Sequence, residues 1–154
     1  MTKSSTGVGQ RTGWSSHPAG VGIALTLRLP RDPQTVALVR RLARDALECL
    51  EVPAGPAEDI ELALCEACTN AILHASAGPE YWVLVSVDPT RCVVEVGDAG
   101  SGFEFDVPSR VSTDAESGRG LALIDALVDE VEWAVETRSG TAVRMVKHLS
   151  LLDR

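Results

Sequence analysis

The stretches "EYWVLVSVD" and "RCVVEVGD" are separated only by Asp88-Pro89-Thr90. Both are rich in Val and aromatic residues that fit a pleated surface, and turn residues bound them, so each reads as a strand. A connection this short cannot hold the crossover a parallel pair needs, so the two strands return on each other as an antiparallel hairpin. "EVEWAVET" and "TAVRMVKHL", joined at Arg138-Ser139-Gly140, repeat the pattern as a second hairpin. Upstream, "GIALTLRLP" alternates Ile23, Leu25, Leu27 and Leu29 on one face, a half-buried strand stopped by Pro30.

Between and after these strands the apolar period changes to that of helices. Val36, Val39, Leu42, Ala46, Leu47 and Leu50 recur at three- and four-residue steps from Gln34 to Leu50, with Arg40, Arg41 and Arg44 opposite. Asp32 supplies an N-cap and Pro33 the first helical position. After the loop "EVPAGPAED", a second helix is expected from Ala57 to Ala75, with Ile60, Ala63, Leu64, Ala67, Ala71 and Ile72 facing inward. A third, "GRGLALIDALVD", follows a stretch from Gly100 to Gly118 that has few apolar residues and several breakers, the pattern of a lid. The order β-α-α-β-β-lid-α-β-β, without repeats, predicts an α/β (α+β) chain: a two-layer sandwich with three helices on one face of a mostly antiparallel sheet. The other sheet face is left partly free.

At 154 residues and 45% hydrophobic, the chain suits one domain with a real core. Residues 1–20, rich in Gly, Ser and Thr without periodicity, read as a mobile tail, 21–149 as the folded domain and 150–154 as a short C-terminal tail. A net charge of −8 argues against a nucleic-acid surface, which needs clustered Lys and Arg. No run approaches the roughly 20 apolar residues of a membrane span, and the first residues lack a signal-peptide core, so a cytoplasmic location and no membrane contact are expected. Cys49, Cys65, Cys68 and Cys92 sit inside apolar helix or strand patterns and are read as reduced, mostly buried thiols.

Polar groups recur on the second helix at four-residue steps, as Glu66, Asn70 and His74. The plain reading is a solvated stripe. The functional one gives a Mg²⁺ ion the carbonyl oxygen of Asn70, since that hard cation takes oxygen ligands and phosphates, and makes Glu66 a proton acceptor one turn away. "DAGSG", residues 98–102, is either an ordinary Asx-type turn or part of a ligand pocket. "SGRG", residues 117–120, has Ser117 as a helix cap, or glycines that let backbone N–H groups approach a phosphate. His74 alone is more often a packing residue than a ligand. Cys65 and Cys68 form one C-x-x-C in mid-helix without a second ligand pair, which suits packing better than zinc or redox work.

In order and spacing, "ExxxN" on a helix, "DxGxG" after a strand and "GxG" opening a later helix resemble the N, G1 and G2 boxes of the histidine-kinase-like ATPase superfamily. Within it, "CEACTNAILHA" and "ESGRGLALIDALVDEVEW" look most like the anti-sigma-factor serine/threonine kinases of bacterial partner-switching systems. The resemblance covers residues 21–149 and implies the Bergerat fold, with a mixed, mostly antiparallel sheet. It implies ATP and Mg²⁺ as cofactors, with Asn70 as metal ligand, Glu66 as general base and Asp98 as the acceptor of the adenine amino group. Gly100 and Gly102 would shape the adenine pocket and lid hinge, and Gly118, Arg119, Gly120 and Leu121 would lie beside the phosphates. The implied partners are a sigma factor, held away from RNA polymerase, and a STAS-type anti-anti-sigma protein phosphorylated on Ser or Thr. A homodimer is implied as well. One departure stands out: related kinases often carry a basic residue before the Ser-Gly-x-Gly segment, where this chain has Glu116, with Arg119 available near the phosphate instead. Two alternatives follow, a non-catalytic nucleotide-binding anti-sigma module and a switch kinase acting on a scaffold protein.

Overall fold

The computed structural model describes residues 21–74, 78–98, 115–136 and 140–151. The elements run β1 (Ile23–Pro30), α1 (Gln34–Cys49), α2 (Ala54–His74), β2 (Glu80–Val87), β3 (Arg91–Asp98), α3 (Ala115–Leu127), β4 (Glu130–Glu136) and β5 (Gly140–His148). The strands form one sheet in the order β1-β2-β3-β5-β4, and each described pairing is antiparallel, with no parallel pair among them. The expected tail 1–20, the Gly100–Gly118 lid up to residue 114, and Gly100 and Gly102 lie outside the described residues.

Helix boundaries follow from where backbone groups find partners. The Asp32 carboxylate accepts the Gln34 amide at 2.9 Å and its carbonyl accepts the Thr35 amide at 2.8 Å, while Pro33 already has helical φ and ψ of −54° and −25°. Asp32 therefore caps α1 as its sequence position suggests. At the other end Glu51 takes a φ of 58°, its amide bonds Glu48 O, and the Val52 amide bonds Leu47 O. This is a Schellman closure, and Val52 and Leu47, the pair it brings together, both belong to the buried core. Helix α2 begins three residues earlier than the expected Ala57, absorbing Gly55 and Pro56. First-turn N–H groups have no intrahelical partner anyway, so a proline there forfeits no bond. For the same reason α3 begins at Ala115 and Ser117 lies inside its first turn rather than capping it.

The core lies between the helices and one sheet face. Val39, Ala43 and Leu47 of α1, with Ile60, Leu64 and Cys68 of α2, meet Tyr81, Val83 and Val85 of β2, Val94 and Val96 of β3, and Val143 and Met145 of β5. Each large buried aliphatic contributes about 1.5–3 kcal/mol by leaving water. Packing continues past the expected boundary at residue 149: the Leu149 and Leu151 amides bond Thr90 O and Pro89 O, and Leu151 packs against the core.

On the opposite face the expectation of a partly free surface holds only at the rim, where Ala24, Thr26, Arg28 and Glu130 are exposed. The central residues Trp82, Val93, Glu95, Ala142 and Val146 are buried. Part of that burial is mutual cover. Arg144 pairs in register with Glu95 on one side and Glu132 on the other, with ion-pair distances of 3.6 and 3.7 Å, and Trp82 overlies Gly97.

A tether runs through the sheet's helix-covered face. The Thr35 hydroxyl and the Tyr81 phenol are 2.7 Å apart, and Cys68 bonds Tyr81 in turn. Burial pushes the Tyr81 phenol from 10.0 up to about 12, and burial pushes the Cys92 thiol from 9.0 up to about 12. The unfolded chain releases these protons first, so they favour the fold below their unfolded values, and that contribution disappears as pH rises through the folded ones. The urea midpoint is accordingly expected to hold up to pH 9 and fall between pH 9 and 12. Tyr81→Phe should flatten the upper part of that fall, and an unchanged profile would refute the assignment.

Candidate nucleotide site

Helix α2 is the centre of the candidate site, because it packs against both β3 and α3. Glu66 and Asn70 lie on it half-buried, four residues and about 6 Å of helix rise apart. Asp98 ends β3 and is only 2% exposed. It follows Val94 and Val96 on the helix-covered side and pairs with Tyr81.

Tyr81 also fixes which end of the helix faces Asp98. Its contact with Cys68 brings the last turns of α2 to the Asp98 end of the sheet. Arg31 holds the same end: its guanidinium donates to Ile72 O at 3.2 and 2.7 Å and to Gly78 O at 3.0 Å. A cation on orphan carbonyls at a helix C-terminus is favourable both as a hydrogen bond and against the macrodipole. Asn70 thus sits between two tethered residues, Cys68 and Ile72, at the Asp98 end.

Helix α3 carries Gly118, Arg119, Gly120 and the partly exposed Leu121 in its first turns. Its C-terminal Leu127 carbonyl accepts from Lys147, which also binds Asp59 near the start of α2. Since the start of α2 meets the end of α3, the two helices run antiparallel, and the first turns of α3 lie at the Asn70 end. The structure therefore brings together Glu66, Asn70, Asp98 and the α3 glycines at one end of the sandwich. Nothing in the described residues bears on Gly100, Gly102 or the Arg119 side chain. His74 ends α2, half-buried.

Thr141 belongs with these residues although periodicity did not single it out. Gly97 pairs with Ala142, so Thr141 on β5 stands across from Asp98, on the same sheet face. It is 6% exposed, and its hydroxyl has no hydrogen-bond partner among the described residues. A buried hydroxyl without a partner is costly unless a ligand completes it. From sequence, "SGTAV" reads as an ordinary hairpin end, and only the cross-strand register reveals the pairing.

Gly97, the residue before Asp98, leaves space for the Trp82 ring on the opposite sheet face. A Cβ there would come within 2.5 and 2.7 Å of the Trp82 ring and 2.9 Å of Thr141 O. Gly97→Ala must therefore displace the β5 backbone at Thr141 or the buried indole on the opposite face. It is expected to destabilise the fold by about 1–3 kcal/mol and to weaken nucleotide binding, read as urea midpoint and nucleotide titration.

The donor set suits a nucleotide carrying Mg²⁺. A buried carboxylate and hydroxyl offer acceptor and donor to a purine edge, and Asn70 offers one neutral oxygen. Among the described residues no cluster of three His, Cys, Asp or Glu side chains could hold a metal ion alone. Burial raises the thiols of both Cys65 and Cys68, which favours the protonated form expected of packing residues. All four cysteines are free, Cys49 exposed and Cys92 buried. No helix among the described residues is long and apolar enough to cross a membrane.

Comparison with known proteins agrees with this architecture. The model of the histidine kinase-like ATPase domain matches residues 29–147. Proteins named serine-protein kinase RsbW are similar over most of the chain: that of Bacillus velezensis is 33% identical over 139 residues, covering 82% of this chain and 86% of the relative. The Bacillus subtilis protein is 32% identical with the same coverage, and that of Listeria innocua 30% identical, covering 82% of this chain and 87% of the relative. With three helices on a five-stranded sheet among the described residues, and with residues 29–147 matching that domain, the chain belongs to the histidine kinase-like ATPase family, in the anti-sigma-factor serine/threonine-protein kinase branch that its motifs resemble.

Proposed function

We propose that this protein binds Mg-ATP and transfers the γ-phosphoryl group to a Ser or Thr of a STAS-type anti-anti-sigma protein, and that it sequesters a sigma factor when that antagonist is phosphorylated. The observation that carries this reading is the placing of Glu66 one helical turn from Asn70, at the same end of the sandwich as buried Asp98. A protein that only binds nucleotide has no use for a carboxylate there. Similarity to serine-protein kinases over 82% of the chain supports the same reaction class.

Each residue has a definite task. Asp98 accepts the adenine amino hydrogen, and Thr141 adds its hydroxyl at the same edge. Asn70 presents an oxygen to the cation, which, when bound, neutralises phosphate charge. Gly118 and Gly120 let the α3 backbone stand close to the phosphates. Glu66 takes the seryl proton as the oxygen–phosphorus bond forms, while the bond from the γ-phosphorus to its bridging oxygen breaks and ADP leaves with that electron pair. We read the protein as a cytoplasmic homodimer. The non-catalytic module stays in view through Glu116, which stands in the sequence where related kinases often carry a basic residue; the switch kinase differs only in the protein it modifies.

Incubating the protein with its antagonist and γ-labelled Mg-ATP tests the proposal. Label is expected on one Ser or Thr of the antagonist. Tight ATP binding with no transfer would establish the non-catalytic module instead, and transfer to a scaffold protein but not to the antagonist would establish the switch kinase.

A further inference from the structure

We propose that Lys147 is a positioning residue for the nucleotide site, setting the antiparallel register in which α3 presents its glycines to Glu66 and Asn70. The inference rests on the nucleotide-binding reading above. Lys147 lies on β5 two residues after Met145, on the side of the sheet that carries the core. A lysine on that face normally ends in water, yet its side chain is only 19% exposed. Its ammonium is committed to both site-bearing helices, at 3.1 Å from Asp59 Oδ2 and 2.9 Å from Leu127 O.

Each contact acts on a helix terminus. Leu127 O is an orphan carbonyl at the C-terminal end of α3, where a cation opposes the macrodipole. Asp59 lies in the second turn of α2. With both helices rising about 1.5 Å per residue, Asn70 lies about 16 Å from Asp59 and Gly118 about 13 Å from Leu127. Pinned at Lys147 and running in opposite directions, the two helices bring Asn70 and Glu66 about level with the first turns of α3. A shift of one helix along the other at the Lys147 end is transmitted along rigid backbone to the phosphate end. Further bonds hold α3's end to β5: Asp129 N donates to Val146 O at 2.8 Å, and the His148 amide donates to Asp129 Oδ2 at 2.6 Å. Lys147 is the link from this anchor to α2.

The test titrates a fluorescent ATP analogue with Mg²⁺ into wild type, Lys147→Met, Lys147→Arg and Asp59→Asn, with circular dichroism and Tm measured alongside. Lys147→Met is expected to weaken nucleotide binding roughly fivefold at temperatures where it is fully folded, Asp59→Asn less, and Lys147→Arg to restore most of the affinity. A side chain that serves stability alone would lower Tm and leave affinity unchanged, so a folded Lys147→Met with wild-type affinity overturns the proposal. If Lys147→Met does not fold, Asp59→Asn decides, and unchanged affinity there overturns it equally. Wild type that binds no Mg-ATP overturns the nucleotide reading and this role with it, and the wild-type titration separates that outcome from failure of the positioning role alone.

Discussion

Glu66→Ala is expected to reduce phosphoryl transfer to the antagonist by roughly 10²–10⁴-fold, the range spanned by removal of a general base, while leaving nucleotide affinity largely intact. The two effects should separate because the proposed mechanism has Glu66 act on the acceptor hydroxyl rather than on the nucleotide, and Asn70 and Asp98 on the nucleotide itself. Glu66→Gln keeps the shape of the side chain and removes only its basicity, so it should lose transfer almost as completely. Single-turnover transfer with labelled Mg-ATP reads the first effect and equilibrium titration the second. Transfer by Glu66→Ala at the wild-type rate would remove Glu66 from the chemistry. Loss of ATP binding in Glu66→Gln would instead make it a binding residue.

Asp98→Asn should weaken ATP binding itself, by roughly 10- to 100-fold, because a hydrogen bond to a charged group contributes about 1.5–3 kcal/mol and the amide replaces an acceptor-only group with a mixed one. Base preference should change as well. The 6-oxo group of guanine offers an acceptor where adenine offers a donor, so wild type is expected to reject GTP, whose acceptor would face the Asp98 carboxylate. The side-chain amide of the Asp98→Asn variant can donate to that oxygen, so the variant should lose much of its ATP-over-GTP preference. Titration with both nucleotides measures this, and an unchanged ATP affinity with unchanged preference would sink the adenine assignment.

The element types were legible because their signals are local. Period-2 alternation in "GIALTLRLP" and the short Asp88-Pro89-Thr90 turn specify strand and hairpin within a few residues, and β1, β2 and β3 stand where those patterns place them. Helix starts were read less well. Gly55, Pro56 and Gly118 look like breakers, yet each lies in a first turn whose N–H groups need no intrahelical partner. The buried centre of the outer sheet face was also unreadable, because Glu95 and Arg144 look like solvent-facing charges until their register pairs them.

The candidate site divides along the same line. Glu66 and Asn70 share a helical stripe through spacing alone, and "DxGxG" and "GxG" could be recognised as motifs. Thr141 and Lys147 could not: one reads as a hairpin residue and the other as the polar end of a strand. Their partners, Asp98, Asp59 and Leu127, are 20 or more residues away in sequence. The sequence by itself determined which segments are helix or strand and in what order they follow, because these depend on φ/ψ preference and periodicity within one or two turns, while its motifs pointed to candidate site residues only through their resemblance to a family. Only the tertiary structure decided that β5 inserts between β3 and β4, that Thr141 stands beside Asp98, and that one ammonium joins the ends of α2 and α3. Those outcomes depend on which buried surfaces and backbone groups satisfy one another across the whole core, and no local stretch of chain carries that information.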